Sequence, residues 1–231
     1  MPNESQAAKI RAGQGFVAAL DQSGGSTPKA LKLYGIESDA YSSDDEMFDL
    51  MHAMRTRIVE APAFTGDKVV GAILFEKTMD REMGGKPSAA YLWEDQGVVP
   101  FLKVDKGLEA AENGVQMMKP MPELDALCER AVGHGVFGTK MRSVIGAADK
   151  AGVAANVAQQ FEIGAQIAAH GLVPILEPEI TISIPDKAEA EEMLRDEIGA
   201  QLDALPEGAS YILKLTLPES ANHYLPLIEH P

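Results

Sequence analysis

The sequence predicts an α/β fold of the TIM (β/α)8 barrel class, and two observations carry that prediction. Short apolar runs alternate with helical segments along the chain, which is typical of a parallel sheet covered on both faces. Charged side chains recur at or near the ends of different predicted strands, and barrels of this class assemble their sites at the carboxyl ends of the strands. The chain has neither a Walker A motif nor a Gly-x-Gly-x-x-Gly motif that opens a helix after the first strand, which weighs against a nucleotide-binding fold.

The strands are predicted from apolar runs bounded by turn residues. They span residues 15–20, 68–75, 98–107, 136–142, 172–180 and 210–218, and a loop is predicted at residues 84–87. The helices are predicted mainly from apolar residues at helical spacing. They span residues 4–12, 43–60, 124–134, 150–170 and 186–205, and a further helix begins between residues 219 and 229.

Local signals mark where several elements begin and end. Ser43 and Glu46 have the spacing of a capping box, and the methionine stripe that follows them is expected to pack in the core. Gly171 ends the long alanine-rich helix, and Asp186 is expected to cap the acidic helix after it. Residues 21–27 are rich in acid, hydroxyl and glycine, which predicts either an active-site loop or an ordinary turn.

Composition limits the kinds of partner. The 231 residues are 45% hydrophobic, and we expect a single domain over residues 1–231. The net charge of −15 argues against nucleic acid and anionic membranes, although a local lysine cluster can still bind a small anion. The one cysteine, Cys128, excludes an internal disulfide framework. The absence of a membrane-spanning apolar run and of a signal-peptide form completes the prediction of a soluble cytoplasmic protein.

Lys214 lies in the middle of the apolar run at residues 210–218, which predicts a buried strand. An unpaired ammonium group is costly to bury. A lysine kept neutral in such a strand is an amine nucleophile, the group that forms a Schiff base with a carbonyl substrate. Alternatively, the side chain extends to the rim of the sheet or pairs with a carboxylate.

Charged residues at other strand ends would complete such a site if they converge. They are Asp21, Lys103, Lys140, Arg142, Glu177 and Glu179. A second lysine, Lys140, beside Lys214 would favour the neutral form of the nucleophile. Glu177 or Glu179 could move protons as the amine adds to a carbonyl and water leaves. Asp21 could take a hydroxyl proton and so trigger cleavage of a carbon–carbon bond.

The remaining cations suit an anionic substrate. Lys103, Lys140 and Arg142 could hold phosphate oxygens, and arginine can do so through two parallel hydrogen bonds. The set indicates iminium chemistry on a phosphorylated sugar, which needs no metal. The five histidines are scattered, with no His-x-His or His-Glu-x-x-His motif. We therefore expect neither a metal site nor a cofactor.

Six motifs carry a resemblance to a known family. They are Ala-Leu-Asp-Gln-Ser-Gly-Gly-Ser-Thr at residues 19–27, Gly-Ala-Ile-Leu-Phe at 71–75, Leu-Lys-Val-Asp-Lys-Gly at 102–107, Thr-Lys-Met-Arg at 139–142, Val-Pro-Ile-Leu-Glu-Pro-Glu at 173–179 and Leu-Lys at 213–214. With these motifs, in this order and over almost its whole length, the chain resembles the class I fructose-bisphosphate aldolases in their bacterial form. The motifs at 102–107 and 173–179 are the most specific.

The resemblance implies a lyase that reversibly cleaves fructose 1,6-bisphosphate to dihydroxyacetone phosphate and glyceraldehyde 3-phosphate in glycolysis and gluconeogenesis. It implies that Lys214 is the Schiff-base lysine. Glu177 would accept and donate the proton during Schiff-base formation, with Glu179 as its neighbour in the same proton network. Asp21 resembles the base that drives carbon–carbon cleavage.

The resemblance also implies how the substrate is held. Lys103, Lys140 and Arg142 resemble the substrate-binding cations, with Lys140 also close to the reacting centre. Ser23 resembles a phosphate contact. The implied partner is a small sugar phosphate, without nucleic acid, membrane, metal or cofactor, and a homo-oligomer is left open.

The chain departs from the family pattern in two respects. The family's chains are longer, and this one stops at Pro231, so the last two strands of the barrel are expected to lie outside it. Those strands would carry a Ser/Gly-rich loop and an arginine that hold the ketose phosphate. Either the sequence is a fragment or something else closes the sheet. Gln22 stands where animal members usually have glutamate, which affects a minor contact.

Three hypotheses follow. The first is a metal-independent class I fructose-bisphosphate aldolase. The second is another Schiff-base barrel aldolase, of the transaldolase or deoxyribose-phosphate aldolase kind, which a preference for a singly phosphorylated substrate would favour. The third is a non-catalytic aldolase body that serves as a binding module.

Overall fold

The computed structural model describes residues 3–23 and 25–230. These residues form two compact units. The first comprises the residues up to Val104 together with Leu127–Thr139, and the second comprises Asp105–Ala126 together with the residues from Lys140 onward. The single domain over residues 1–231 stays a prediction. Within the described ranges, no helix combines the length and the apolar character needed to cross a membrane.

The described residues alternate between helices and strands along the chain. The helices are α1 (Glu4–Ala12), α2 (Thr27–Leu33), α3 (Asp44–Val59), α4 (Glu76–Met79), α5 (Ser88–Glu94), α6 (Leu124–Gly133), α7 (Lys150–Ala169), α8 (Lys187–Asp203) and α9 (Leu225–Ile228). The strands are β1 (Phe16–Leu20), β2 (Val69–Leu74), β3 (Glu82–Met83), β4 (Lys86–Pro87), β5 (Val99–Lys103), β6 (Val115–Gln116), β7 (Gly138–Ile145), β8 (Val173–Ile180) and β9 (Ile212–Leu213). The predicted alternation of strands and helices is confirmed.

In the first unit, β2 lies between β1 and β5, and the three strands run parallel. Every residue of β2 is buried, as its continuous apolar run predicts. Leu20 pairs with Leu74, which in turn pairs with Leu102. The carboxyl ends of the three strands therefore meet at one edge, where Asp21 follows β1 and Lys103 ends β5.

The burial predicted for β1 is wrong over most of its length. Phe16 is 59% exposed and Val17 is 41% exposed. Among the described residues β1 pairs with β2 alone, so it is an edge strand. An apolar run shows that a strand can be buried, but a neighbour on each side is needed to bury it.

Helix α3 begins where its capping signal predicts, with one of the two hydrogen bonds of a capping box. The Ser43 hydroxyl accepts a hydrogen bond from the N–H of Glu46 at 3.2 Å, and the Glu46 carboxylate accepts one from the N–H of Ser42 at 2.6 Å. The methionine stripe packs in the core, which confirms the prediction. The core cluster at this helix contains Leu31, Met47, Phe48, Met51 and Met54.

The segment predicted as a loop at residues 84–87 forms a small hairpin. Strands β3 and β4 pair antiparallel, with Met83 opposite Lys86. Gly84 and Gly85 make the turn with φ values of +55° and +75°. Both values lie in the left-handed region that glycine adopts without strain.

In the second unit, β7, β8 and β9 lie in that order. Strands β8 and β9 run parallel, with Ile175 opposite Ile212. Strand β6 pairs antiparallel with the end of β7, with Val115 opposite Ile145. Helix α7 packs against β8 and against α8. The sequence did not predict β6, because two residues are too few for an alternation to be recognised.

The strand predicted at residues 210–218 is much shorter and less buried than expected. Strand β9 has two residues, Ile212 and Leu213, both half-buried. The Lys214 side chain is 47% exposed, so the prediction of a lysine buried in an apolar strand is wrong. Among the described residues β9 pairs with β8 alone, and no second strand covers its other edge.

The predicted side-chain cap of α8 is also wrong. Asp186 occupies the N-cap position, but its side chain makes no capping hydrogen bond to this helix. Its Oδ2 instead accepts a hydrogen bond from the N–H of Ala148 at 2.6 Å. The carboxylate therefore ties the start of α8 to the segment after β7.

Candidate active site

The carboxylate of Glu177 is the centre of a cluster in the second unit. Its side chain is 5% exposed, and Nζ of Lys140, which is 7% exposed, lies 3.1 Å from Oε2. The Nζ of Lys214 donates a hydrogen bond to Oε1 of the same carboxylate. Each oxygen of one buried glutamate thus contacts a different lysine. The structure brings together three of the residues that the sequence analysis singled out.

The register between β8 and β9 explains why Glu177 and Lys214 lie close together. Leu176 pairs with Leu213, so the next residues, Glu177 and Lys214, come side by side. The N–H of Lys214 donates to the carbonyl of Leu176 at 2.9 Å, which holds the lysine at the end of β9. Lys214 follows a strand of only two residues, and this backbone bond extends its attachment to β8.

A second ion pair lies two residues further along the same strands. Nη1 of Arg142 donates to Oε2 of Glu179 at 2.8 Å. Because side chains alternate along a strand, Glu177 and Glu179 point to the same face, as do Lys140 and Arg142. The two ion pairs therefore lie one after the other along the same face of the sheet.

Arg142 is held firmly as a cation. Burial alone lowers the pKa of its guanidinium, but the hydrogen bond to Glu179 and the negative charges of Glu179, Glu177 and Asp105 outweigh burial and raise the pKa. The backbone N–H of Arg142 also donates to Oδ2 of Asp105 at 3.2 Å. The side chain is 40% exposed, so solvent or a ligand can still reach it.

A cavity of about 290 Å³ opens at Lys214. It is lined by Glu177, Glu179, Ile180, Thr181, Ile182, Lys214, Leu215 and Thr216. A larger groove of about 990 Å³ elsewhere in this unit is lined mainly by apolar residues of the α8–β9 connection and α9, and it contains none of the predicted site residues. The smaller cavity is the candidate site, because Lys214, the predicted nucleophile, and the carboxylates of Glu177 and Glu179 line it.

The other predicted site residues belong to the first unit. Asp21 and Ser23 follow β1, and Lys103 ends β5; all three are half-buried. The carbonyl of Ser23 accepts hydrogen bonds from the backbone N–H groups of Ser26 and Thr27 at 2.8 and 3.0 Å, where α2 begins. That these three residues join the Lys214 cluster stays a prediction.

Sequence reasoning missed two residues beside the predicted ones. Asp105 is 7% exposed and binds the backbone of Arg142; its position between two lysines of the 102–107 motif was a usable signal. Arg55 is 1% exposed on α3. It occupies the fourth position after Met51 on a face otherwise made of apolar residues, and a charge at such a place is a signal too.

No group of three or more His, Cys, Asp or Glu side chains within the described ranges could hold a metal ion. The Glu177–Lys140–Lys214 cluster pairs its carboxylate with ammonium groups. The expectation of a metal-free and cofactor-free site stays a prediction.

A family model described as fructose-bisphosphate aldolase class-I matches residues 4–200. The matched range contains Glu177 and Glu179, whereas Lys214 lies beyond it. Longer alignments with two curated relatives extend past residue 200.

Both relatives are named fructose-bisphosphate aldolase class 1. The protein from Porphyromonas gingivalis is 58% identical over 229 residues, which cover 99% of this chain and 78% of the relative. The protein from Synechocystis sp. is 55% identical over 229 residues, which cover 99% of this chain and 76% of the relative.

A solved structure shows the same fold. The fructose-bisphosphate aldolase from Plasmodium falciparum, in complex with TRAP and a small-molecule inhibitor, matches with a TM-score of 0.71 at 22% identity. The match covers 91% of this chain and 62% of that chain, so this chain spans less than two thirds of its length. At that identity the likeness is one of fold, and it confirms the predicted fold class. Together with the family model and the two relatives, it leads to one conclusion: the chain belongs to the class I fructose-bisphosphate aldolase family.

Proposed function

We propose that this chain is a class I aldolase that reversibly cleaves fructose 1,6-bisphosphate to dihydroxyacetone phosphate and glyceraldehyde 3-phosphate in glycolysis and gluconeogenesis. One observation carries the proposal: Lys214 and Lys140 contact the two oxygens of the same buried carboxylate, that of Glu177. Schiff-base chemistry needs a lysine with a proton acceptor, and a second cation beside the lysine favours its neutral form. Membership of the family supports the same reaction.

The first stage is formation of the Schiff base. A lysine attacks a carbonyl only after it has lost a proton, and the hydrogen bond from Lys214 to Glu177 provides the acceptor. The neutral amine adds to the ketose carbonyl carbon. The resulting hydroxyl takes up a proton from Glu177 and leaves as water. The product is an iminium ion, which can accept an electron pair from the neighbouring carbon.

The second stage is cleavage of the carbon–carbon bond, with Asp21 as the base. Asp21 takes the proton from the hydroxyl two carbons away from the iminium carbon. As that oxygen forms a carbonyl, the bond next to it breaks, and its electron pair moves toward the iminium to form an enamine. The aldehyde product leaves. Protonation and hydrolysis of the enamine release the ketone product and restore Lys214.

Lys103, Arg142 and Ser23 are proposed to bind the phosphate groups of the substrate. Lys140 is proposed to lie close to the reacting carbon. Arg142 supports this assignment, because it stays cationic and is 40% exposed although it is paired with Glu179. A guanidinium that is paired on one side can bind a phosphate through its remaining donors. The exposed donors would recognise the substrate, and the paired one fixes the orientation.

We infer a cytoplasmic setting for this reaction. Cys128 is buried and is the one cysteine of the chain, so the chain forms no internal disulfide, which is compatible with a reducing compartment. Cell fractionation with an antibody against the chain tests this inference, and recovery in a periplasmic or membrane fraction would contradict it.

The experiment that tests the function is reductive trapping. The protein is incubated with dihydroxyacetone phosphate and borohydride, which reduces an iminium to a stable amine. Intact mass and peptide mapping then locate the adduct. We expect a single adduct, on the peptide that contains Lys214, and turnover of fructose 1,6-bisphosphate by the untreated protein.

Two variants make the assignment specific. Lys214→Met should abolish trapping and leave the fold intact, because the side chain is half-exposed. Lys150→Met removes an exposed lysine at the start of α7 and should trap as the unaltered chain does. Full trapping in Lys214→Met would overturn the role of Lys214, and no trapping in a folded unaltered chain would favour the non-catalytic binding module.

A further inference from the structure

Arg55 is the largest fully buried side chain of the described residues. It projects from α3 on the face that also carries Met51 and Met54, where an unpaired charge would be costly. Burial lowers the pKa of its guanidinium to about 10, and the negative charge of Asp21 works against that lowering. A cation in this position has to be held by specific partners.

Those partners lie on two different segments. Nη2 of Arg55 donates to the backbone carbonyl of Gln22 at 2.5 Å and to Oε1 of its side chain at 3.3 Å. Nη1 donates to the hydroxyl of Thr78 at 2.7 Å. Gln22 is the residue directly after Asp21. Thr78 is in α4, which follows β2.

The two segments follow neighbouring strands. Strands β1 and β2 are parallel and end together, with Leu20 opposite Leu74. Arg55 therefore joins the chain just beyond the carboxyl ends of both strands. The amide nitrogen of Gln22 also donates to the carbonyl of Ala19 at 3.2 Å, so the Gln22 side chain links the end of β1 to the guanidinium.

The loop is also held on its other side. The Ser23 carbonyl accepts hydrogen bonds from the backbone of Ser26 and from the Thr27 hydroxyl, at 2.8 and 3.0 Å. Asp21 is thus followed at once by two residues whose carbonyls are both fixed, one by Arg55 and one by the start of α2. These attachments hold the chain that directly follows Asp21.

We propose that Arg55 is a positioning residue of the aldolase reaction, which fixes the backbone of Gln22 and thereby the place of the Asp21 carboxylate. The proposal rests on the proposed function, in which Asp21 is the base for carbon–carbon cleavage. Arg55 itself does not touch the reacting atoms. The planar guanidinium bridges Gln22 and Thr78 at once, which the single ammonium group of a lysine cannot reproduce with the same geometry.

The test compares two stages of the same reaction. Schiff-base formation on Lys214 does not use Asp21, whereas cleavage of fructose 1,6-bisphosphate does. We expect Arg55→Lys to lower kcat for cleavage by about 10- to 100-fold, as for a catalytic group displaced by a fraction of an ångström to an ångström. The rate of borohydride trapping with dihydroxyacetone phosphate should be unchanged.

Arg57→Lys is the matched control. It is the same substitution on the same helix, but Arg57 is exposed and contacts Tyr34. It should leave both rates unchanged. If circular dichroism shows that Arg55→Lys is not folded, Thr78→Val takes its place, because it removes the hydrogen-bond partner of Arg55 Nη1. Thr78→Val should also lower the rate of cleavage and leave the rate of trapping unchanged.

The outcomes distinguish the positioning role of Arg55 from the proposed aldolase function on which it rests. Equal loss of cleavage and trapping in Arg55→Lys would show a merely structural arginine and overturn the positioning role, as would unchanged cleavage. Absence of trapping in the unaltered chain would overturn the proposed function first, and the role of Arg55 with it. Loss of cleavage with trapping intact supports the positioning role.

Discussion

Glu177 is the residue on which the candidate site depends most. Its carboxylate is buried, and its two oxygens contact two different lysines. A carboxylate in this position can accept a proton and later return it, which an uncharged amide cannot do. Glu179, two residues further along β8, is 38% exposed and pairs with Arg142 instead. The two glutamates of one motif therefore have different surroundings and different expected roles.

Glu177→Gln should slow Schiff-base trapping on Lys214 by about 100-fold or more, because the amide keeps the shape of the side chain but cannot take up a proton. The measurement is the rate of adduct formation with dihydroxyacetone phosphate and borohydride. Glu179→Gln is the matched substitution and should slow trapping much less. A Glu177→Gln variant that traps as fast as the unaltered chain would remove Glu177 from the mechanism.

At the scale of the elements, α8 carries a buried ion pair that also holds the chain after Lys214. Lys187 and Glu191 form a hydrogen-bonded pair with side chains 6% and 2% exposed. Lys187 Nζ donates to the carbonyl of Leu217 at 2.9 Å, and Glu191 accepts from the N–H of Glu219 at 3.1 Å. The helix thereby fixes a segment that β9 is too short to hold.

Lys187→Met should lower the free energy of unfolding by about 3–5 kcal/mol, because it leaves the Glu191 carboxylate buried without its partner. The double variant Lys187→Met with Glu191→Leu should be less destabilised than Lys187→Met, because it removes the unpaired charge. Urea unfolding followed by circular dichroism measures both. A double variant that is less stable than the single one would show that the pair contributes net stability.

At the scale of the whole molecule, the proposed anionic substrate has to be bound by local positive charge, because the chain as a whole is strongly acidic. Asp and Glu total 35 against 20 Lys and Arg, yet Lys140, Arg142 and Lys214 gather on one face of β7–β9. The proposed iminium ion supplies the electron sink that a Lewis-acidic metal would otherwise provide. The reaction as proposed therefore has no step that needs a metal.

Treatment with EDTA should leave cleavage of fructose 1,6-bisphosphate and trapping on Lys214 unchanged. The assay is steady-state turnover of the dialysed protein with and without the chelator, with zinc added back as the control. Activity that is lost with EDTA and restored by zinc would contradict the metal-independent mechanism.

The residues alone were enough to predict the fold class, most element positions and the family. Apolar runs, the Ser43 cap and the methionine stripe are local features, and motifs such as those at residues 102–107 and 173–179 are recognisable in the unfolded chain. The motifs also contain the predicted site residues Lys214, Glu177 and Lys140. In the structure, both lysines contact the Glu177 carboxylate. Their catalytic roles stay predictions.

The exposure of side chains and the contacts between distant residues could be learned only from the folded structure. Phe16 in β1 and Lys214 after β9 were expected to be buried, but both are substantially exposed, because burial depends on which strands lie alongside and an apolar run does not contain that information. The partners of Arg55 lie 23 and 33 residues away in the chain. Such contacts arise only when parallel strands bring distant segments to one edge, and this is why the residues that hold the Asp21 loop in place were found in the folded chain and not in its sequence.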